Sequence, residues 1–132
     1  MNHRIVLLAT ADHVFAEIAT DAIIDTRHGV RRANDLPETE RLLGENTWDL
    51  ALAIVDLDLA DTEGFHALHD GPLAFPVLAV TGNVETYYRH AADSRSIADY
   101  LIKPVALDEL RQKVRELSVL TECDEVSRLL TM

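Results

Sequence analysis

Between Asp49 and Leu59 the chain reads Asp-Leu-Ala-Leu-Ala-Ile-Val-Asp-Leu-Asp-Leu. Residues 50–55 are all apolar, with no polar residue at every second place. A short apolar run of this kind suits a strand covered on both faces, the situation of a central strand in a parallel sheet flanked by helices. A strand with one wet face would alternate. Asp56 stands where such a strand ends, and in open α/β sheets ligands bind at the carboxyl ends of the strands. A carboxylate there is either a nucleophile or ligand, or the polar stop of a strand. Two later strands tip the balance toward chemistry, because they end in Thr81 and in Lys103-Pro104.

The rest of the chain supplies what a parallel sheet needs. Residues 4–8 form a first apolar strand, and Asp12 is placed to cap a helix over 13–26 whose Phe15, Ile18, Ala19, Ala22 and Ile23 recur at helical spacing. Gly29 is a candidate helix C-cap or turn residue. Residues 30–34 give a weak strand suited to a sheet edge. Pro37 fits the first turn of a helix running to about residue 45. Beyond Asp56 a polar loop with Gly64 opens a short helix over 65–69, which Gly71-Pro72 breaks. Strands follow at 75–80 and 97–102, with a helix over 84–93 between them. Leu107, Leu110, Val114 and Leu117 mark an amphipathic last helix. Strands alternating with helices at short spacing predict a parallel sheet with right-handed crossovers and helices on both faces. The domain spans residues 1–118. Residues 119–132 form a tail, in which Thr121 and Asp124 can start a separate short helix over 125–130. That segment is a helix docked on the domain, a dimer contact or the start of a linker.

Composition excludes several classes. The formal charge is −11 and the pI about 4.8, which opposes direct nucleic-acid binding. Lysines occur only at 103 and 113, so a lysine at a strand end is a scarce item in this chain. Cys123 is the lone cysteine, which rules out an internal disulfide and a zinc set and reads as an inert thiol. No stretch reaches the length of a membrane span or of a secretory signal, so a cytoplasmic location is expected. His66 and His69 share a helix face without accompanying carboxylates, a pattern of solvated surface more than of a metal site. Tyr87 and Tyr88 are candidates for packing or for an interface.

Asp56, Gly64, Thr81, Tyr100 and Lys103-Pro104 each fall at a strand end or loop, and as a set they resemble the receiver domain of two-component response regulators over roughly residues 4–117. The resemblance implies a flavodoxin-like (βα)5 three-layer sandwich with a parallel five-stranded sheet in order 2-1-3-4-5. It implies that Asp56 is the phosphoacceptor, taking a phosphoryl group from a kinase phosphohistidine. Thr81 is then the hydroxyl residue that bonds the phosphoryl oxygen, and Tyr100 the aromatic switch position that changes orientation with it. Lys103 pairs with the aspartate or phosphate, and Pro104 follows through a cis bond. A carboxylate nucleophile beside a cation and a hydroxyl donor is what phosphoryl transfer requires. The domain is a signalling element without enzymatic turnover, partnered by a sensor histidine kinase or another signalling protein.

The resemblance departs at one place. The family carries an acidic pair after the first strand that holds Mg²⁺, and here those positions are Ala9 and Thr10. Mg²⁺ wants oxygen ligands, and Ala9 has none. Asp56, Asp58 and Asp12 remain as weak metal candidates, with Asp12 read as a cap and Asp58 as a backbone-carbonyl position. Expected phosphorylation is therefore weakened or lost, and no bound cofactor is expected. A second reading is a pseudo-receiver that acts only as an interaction surface, independent of phosphate. Its partner or homodimer face, formed by the fourth helix, fifth strand and last helix, would include Tyr88, Arg89, Asp99, Arg111 and Arg115 around Tyr100. A remoter resemblance joins Asp56-Leu57-Asp58, Thr81 and Lys103 to haloacid-dehalogenase-type phosphatases. Two βα units precede Asp56, and Asp108 and Glu109 open a helix where that family has a further acidic strand end, so the likeness is poor.

Overall fold

A computed structural model describes residues 5–45, 49–59, 73–87 and 97–130. The elements run β1 (Ile5–Ala9), α1 (His13–Asp25), β2 (Gly29–Ala33), α2 (Leu36–Glu45), β3 (Leu50–Asp56), β4 (Val77–Thr81), β5 (Ile97–Ile102) and α3 (Leu107–Leu130). A single turn of 3₁₀ helix, Leu57–Leu59, follows β3. The five strands form one sheet in order β2-β1-β3-β4-β5, and every pairing is parallel. This is the flavodoxin-like order expected from the sequence, with the unbroken apolar run at its centre: all seven residues of β3 are buried. The weakly patterned β2 is an edge strand, as its composition suggested.

Successive side chains of a strand point to opposite faces, so each strand feeds two cores. Val6, Leu8, Leu52, Ile54, Leu78 and Val80 pack on one face with Phe15, Ala19, Ala22 and Ile23 of α1 and Leu110, Val114 and Leu117 of α3. Leu7, Ala9, Ala53, Val55, Val77 and Ala79 fill the other face with Leu42 and Leu43 of α2. Both layers are anchored by the same strands, which fixes where each strand's last residue emerges.

Helix ends explain the loops. Asp12 caps α1, its carboxylate accepting from the Phe15 N–H at 3.1 Å. At the other end, Arg27 N–H bonds to the Ile24 carbonyl and His28 N–H to the Ile23 carbonyl, the paired pattern of a Schellman motif. The left-handed residue this motif needs is Arg27, at φ 67°. Gly29, expected as the cap, instead opens β2. The turn closes two residues earlier than the glycine because β2 must already be paired at Ile5↔Gly29.

The last helix also corrects an expectation. No new helix starts at Thr121–Asp124; α3 runs unbroken from Leu107 to Leu130. No proline or glycine lies between those residues, so the backbone has nothing to stop it. Leu110, Val114, Leu117 and Ser118 of its first half are buried. The helix expected over 65–69, with Gly64, His66 and His69, lies outside the described residues, as do Tyr88 and Arg89. Of the helix expected over 84–93, residues 84–87 are described and helical.

Candidate functional site

The carboxyl ends of β1, β3, β4 and β5 meet at one edge of the sheet. Register places Ala9 beside Val55, Asp56 beside Val80 and Thr81 beside Ile102. Thr10, Asp56, Thr81 and Lys103 therefore follow from strand geometry as neighbours, although the first and last are 93 positions apart in the chain. The Lys103–Pro104 peptide is cis, and the Lys103 N–H bonds to the Thr81 carbonyl at 2.8 Å.

Asp56 is 2% exposed. One carboxylate oxygen accepts from the Thr10 hydroxyl at 2.7 Å and from the Lys103 ammonium at 2.8 Å. The other accepts from the Asp58 N–H at 3.0 Å. A buried carboxylate stays in place only when it is paired and hydrogen-bonded, and Asp56 is both.

Lys103 is the centre of charge. Its ammonium lies 2.8 Å from Asp56, 3.1 Å from Asp12 and 3.4 Å from Asp58, and 5.5 Å from the centre of the Phe15 ring. Its side chain is only 15% exposed. Burial by itself would lower the lysine pKa, but the hydrogen bond and charge of Asp56, with help from Asp12 and Asp58, raise it above the ordinary 10.5. Asp12 shifts the opposite way: the Phe15 N–H at the cap and the Lys103 ammonium hold it below 3.8.

Asp58 behaves differently from its expected role as a backbone ligand. Its side chain accepts from the Thr81 hydroxyl at 2.6 Å and the Gly82 N–H at 2.8 Å. Burial pushes this carboxyl up, but Thr81, Gly82 and Lys103 together outweigh that and hold it below 3.8. Thr81 accordingly donates to Asp58. Its oxygen also accepts from the Asn83 N–H at 3.0 Å, which ties β4 to the helical turn after it. Tyr87 of that turn meets Tyr100 of β5 edge to face, with ring centres 5.2 Å apart.

Two site residues were undervalued by the sequence reading. Thr10 looked like a lost metal ligand, yet it donates to Asp56 and accepts from the Asp12 N–H at 3.0 Å. Asp12 looked too distant to do more than cap α1, yet its second oxygen reaches Lys103. The available signal was symmetry of type: a threonine directly follows β1, as Thr81 ends β4.

The expected interaction face changes as well. Asp99 pairs with Lys113 at 2.6 Å, whereas Arg111 bonds to Asp25 at the end of α1 at 2.7 Å. Residues 111 and 113 are about 200° apart around a helix, so both cannot face β5. Arg111 therefore belongs to the junction of α1 and α3.

Mg²⁺ does not fit these residues. The three carboxylates that could serve it, Asp12, Asp56 and Asp58, already surround the Lys103 ammonium, and buried Ala9 brings no oxygen. A dication at their centre would meet that ammonium at contact distance. Among the described residues no cluster of three or more acidic, histidine or cysteine side chains is arranged to hold a metal.

Comparison with known proteins agrees with this architecture. The chain is 27% identical over 125 residues to the two-component response regulator ORR24 of Oryza sativa, and 28% identical over 108 residues to the two-component response regulator ARR12 of Arabidopsis thaliana. These matches cover 93% and 80% of this chain but only 20% and 18% of those proteins, so the chain spans about a fifth of their length. The crystal structure of a CheY-like response regulator receiver domain protein from Methanospirillum hungatei superposes with a TM-score of 0.72 at 20% identity, over 92% of this chain and 98% of that one. The family model of the response regulator receiver domain matches residues 6–115, and with the sheet order and the strand-end site this makes the chain a member of the response regulator receiver domain family.

Proposed function

We propose that Asp56 is the phosphoacceptor of this receiver domain, and that its phosphorylation is weak because no metal assists it. The observation that carries this reading is the buried Asp56 carboxylate at the end of β3, 2.8 Å from the Lys103 ammonium. In the transfer, an Asp56 oxygen attacks phosphorus, the bond from phosphorus to a kinase histidine breaks, and the histidine keeps the electron pair. Lys103 offsets charge on the incoming oxygens, and Thr81 and the Gly82 N–H, which bond to the Asp58 carboxylate, are the neighbouring donors. The donor is the phosphohistidine of a sensor kinase or of another cytoplasmic signalling protein, and the domain itself turns over no substrate.

A second reading is favoured by the hydrogen-bond count on Asp56. Three donors already satisfy its carboxylate. An acceptor so well paired is a poor nucleophile, because attack must first release part of that stabilisation. In this reading the domain is a pseudo-receiver, and its contacts to partners or to a second copy do not depend on phosphate. Asp99 of β5 and Lys113 of α3, paired at 2.6 Å, are the residues for such a face, since mixed charges select orientation and partner.

The two readings separate in one experiment. The chain and Asp56→Asn are incubated with acetyl phosphate, with and without Mg²⁺, and intact mass is recorded. Slow addition of one phosphoryl group to the parent only, with little effect of Mg²⁺, supports the phosphoacceptor. No addition to the parent under any condition leaves the pseudo-receiver, and equal addition to Asp56→Asn refutes Asp56 as the site.

A further inference from the structure

The Thr81 hydroxyl, the Gly82 N–H and the Lys103 ammonium come from the ends of adjacent strands β4 and β5 and converge on one anion. That anion belongs to the chain itself: the Asp58 carboxylate, at 2.6, 2.8 and 3.4 Å. These donors sit beside the buried Asp56 carboxylate, and Lys103 touches both aspartates. A phosphoryl group attached to Asp56 would bring acceptor oxygens and would need these donors. Asp58 lies two residues from Asp56, and its N–H bonds back to the Asp56 carboxylate at 3.0 Å. The 3₁₀ turn Leu57–Leu59 thus folds a second carboxylate onto the site.

We propose that Asp58 is a built-in stand-in for the phosphoryl group: it occupies the Thr81–Gly82–Lys103 donor set and holds those residues as a phosphoryl group on Asp56 would otherwise have to. Asp58 is a positioning residue and performs no chemistry. Its effect is relayed by contacts already described. Asp58 fixes the Thr81 hydroxyl, and Thr81 accepts from the Asn83 N–H. The Asn83 side chain accepts from the Glu85 N–H at 2.9 Å, and its carbonyl accepts from the Tyr87 N–H at 3.1 Å. Tyr87 then sets the ring of Tyr100, whose hydroxyl oxygen is out of contact with solvent. With Asp58 in place, the path from site to β5 is arranged before any phosphate arrives, and a phosphoryl group must displace Asp58 to engage the same donors. The meaning of this for signalling rests on the reading of Asp56 as phosphoacceptor; the occupancy of the donor set does not.

The test uses nitrogen-15 and carbon-13 labelled parent, Asp58→Asn, Asp58→Ala and Asp56→Asn. Loss of the Asp58 charge should raise the Gly82 amide exchange rate about tenfold or more, the scale of one charge-assisted hydrogen bond. It should also shift the ring signals of Tyr87 and Tyr100. Asp56→Asn, which leaves the Asp58 carboxylate and its bond to the Gly82 N–H, should raise the Gly82 exchange rate less than Asp58→Ala does. If Asp58→Ala does not fold, Thr81→Val reads the same bond from its other end: the Asp58 carboxyl should then titrate closer to 3.8 while Asp12 is unmoved. Gly82 exchange and both tyrosine signals unchanged in Asp58→Asn, or an Asp58 titration unchanged in Thr81→Val, overturns the proposal. Acetyl phosphate labelling is scored separately on the same samples. Its failure in every variant refutes the phosphoacceptor reading and leaves the Asp58 result standing.

Discussion

Removing the Lys103 ammonium is the most informative perturbation of this site. Asp56 would keep the Thr10 hydroxyl and the Asp58 N–H, but lose the Lys103 ammonium at 2.8 Å while its side chain is 3% exposed. Asp12 and Asp58, each 37% exposed, would turn from co-ligands of the ammonium into repelling neighbours. Truncating one partner of a buried ion pair typically costs about 3–5 kcal/mol, because the other charge is stranded. The expected loss is therefore about 3–5 kcal/mol at pH 7. Lys103→Met is the preferred variant, because it keeps an apolar stem beside Gly82 and removes the charge. Urea unfolding of parent and variant at pH 7, followed by circular dichroism, measures the difference. A loss under about 1 kcal/mol refutes the picture of Lys103 as the cation that offsets the buried Asp56 carboxylate.

Further outcomes follow from the same geometry. Millimolar Mg²⁺ should leave the thermal midpoint of the parent unchanged, since only a ligand that binds the folded state raises it; a saturable rise abolished by Asp56→Asn contradicts the poor metal fit. Arg27→Gly should stabilise the fold by about 0.5–1 kcal/mol, because glycine takes the left-handed position of the α1 terminus without strain, whereas Arg27→Ala should give no gain in the same urea titration. Stability should fall on acidification below about pH 4, because Asp12 and Asp58 are held under 3.8 and bind fewer protons folded than unfolded. Their contribution is present above that value and is lost as pH drops through the folded pKa, so Asp58→Asn should flatten the acid limb. Lys103 has the opposite sign: raised above 10.5, it contributes fully below that pH and ceases to as pH rises through its folded pKa, which an alkaline titration followed by circular dichroism would show as a limb missing in Lys103→Met.

The sequence by itself determined the layered architecture, the strand order through family resemblance, and the edge at which chemistry is placed. The physical reason is that the period and continuity of apolar residues decide which faces must be covered. The unbroken run before Asp56 admits little besides a central parallel strand, and that strand is wholly buried. Strand ends then bring Asp56, Thr81 and Lys103 together by register alone. Helix termini were less legible. The choice of Arg27 over Gly29 as the left-handed residue depends on where β2 must pair with β1, and the continuity of α3 past Thr121 on the absence of any breaker competing with a weak cap signal. The allocation of hydrogen bonds inside the site was decided only by the tertiary structure. The sequence offers Thr10 as a missing carboxylate and Asp58 as a backbone ligand, yet both supply side chains to the cluster. Which donor meets which acceptor depends on differences of less than an ångström between side chains from four strands, and no spacing along the chain encodes such distances.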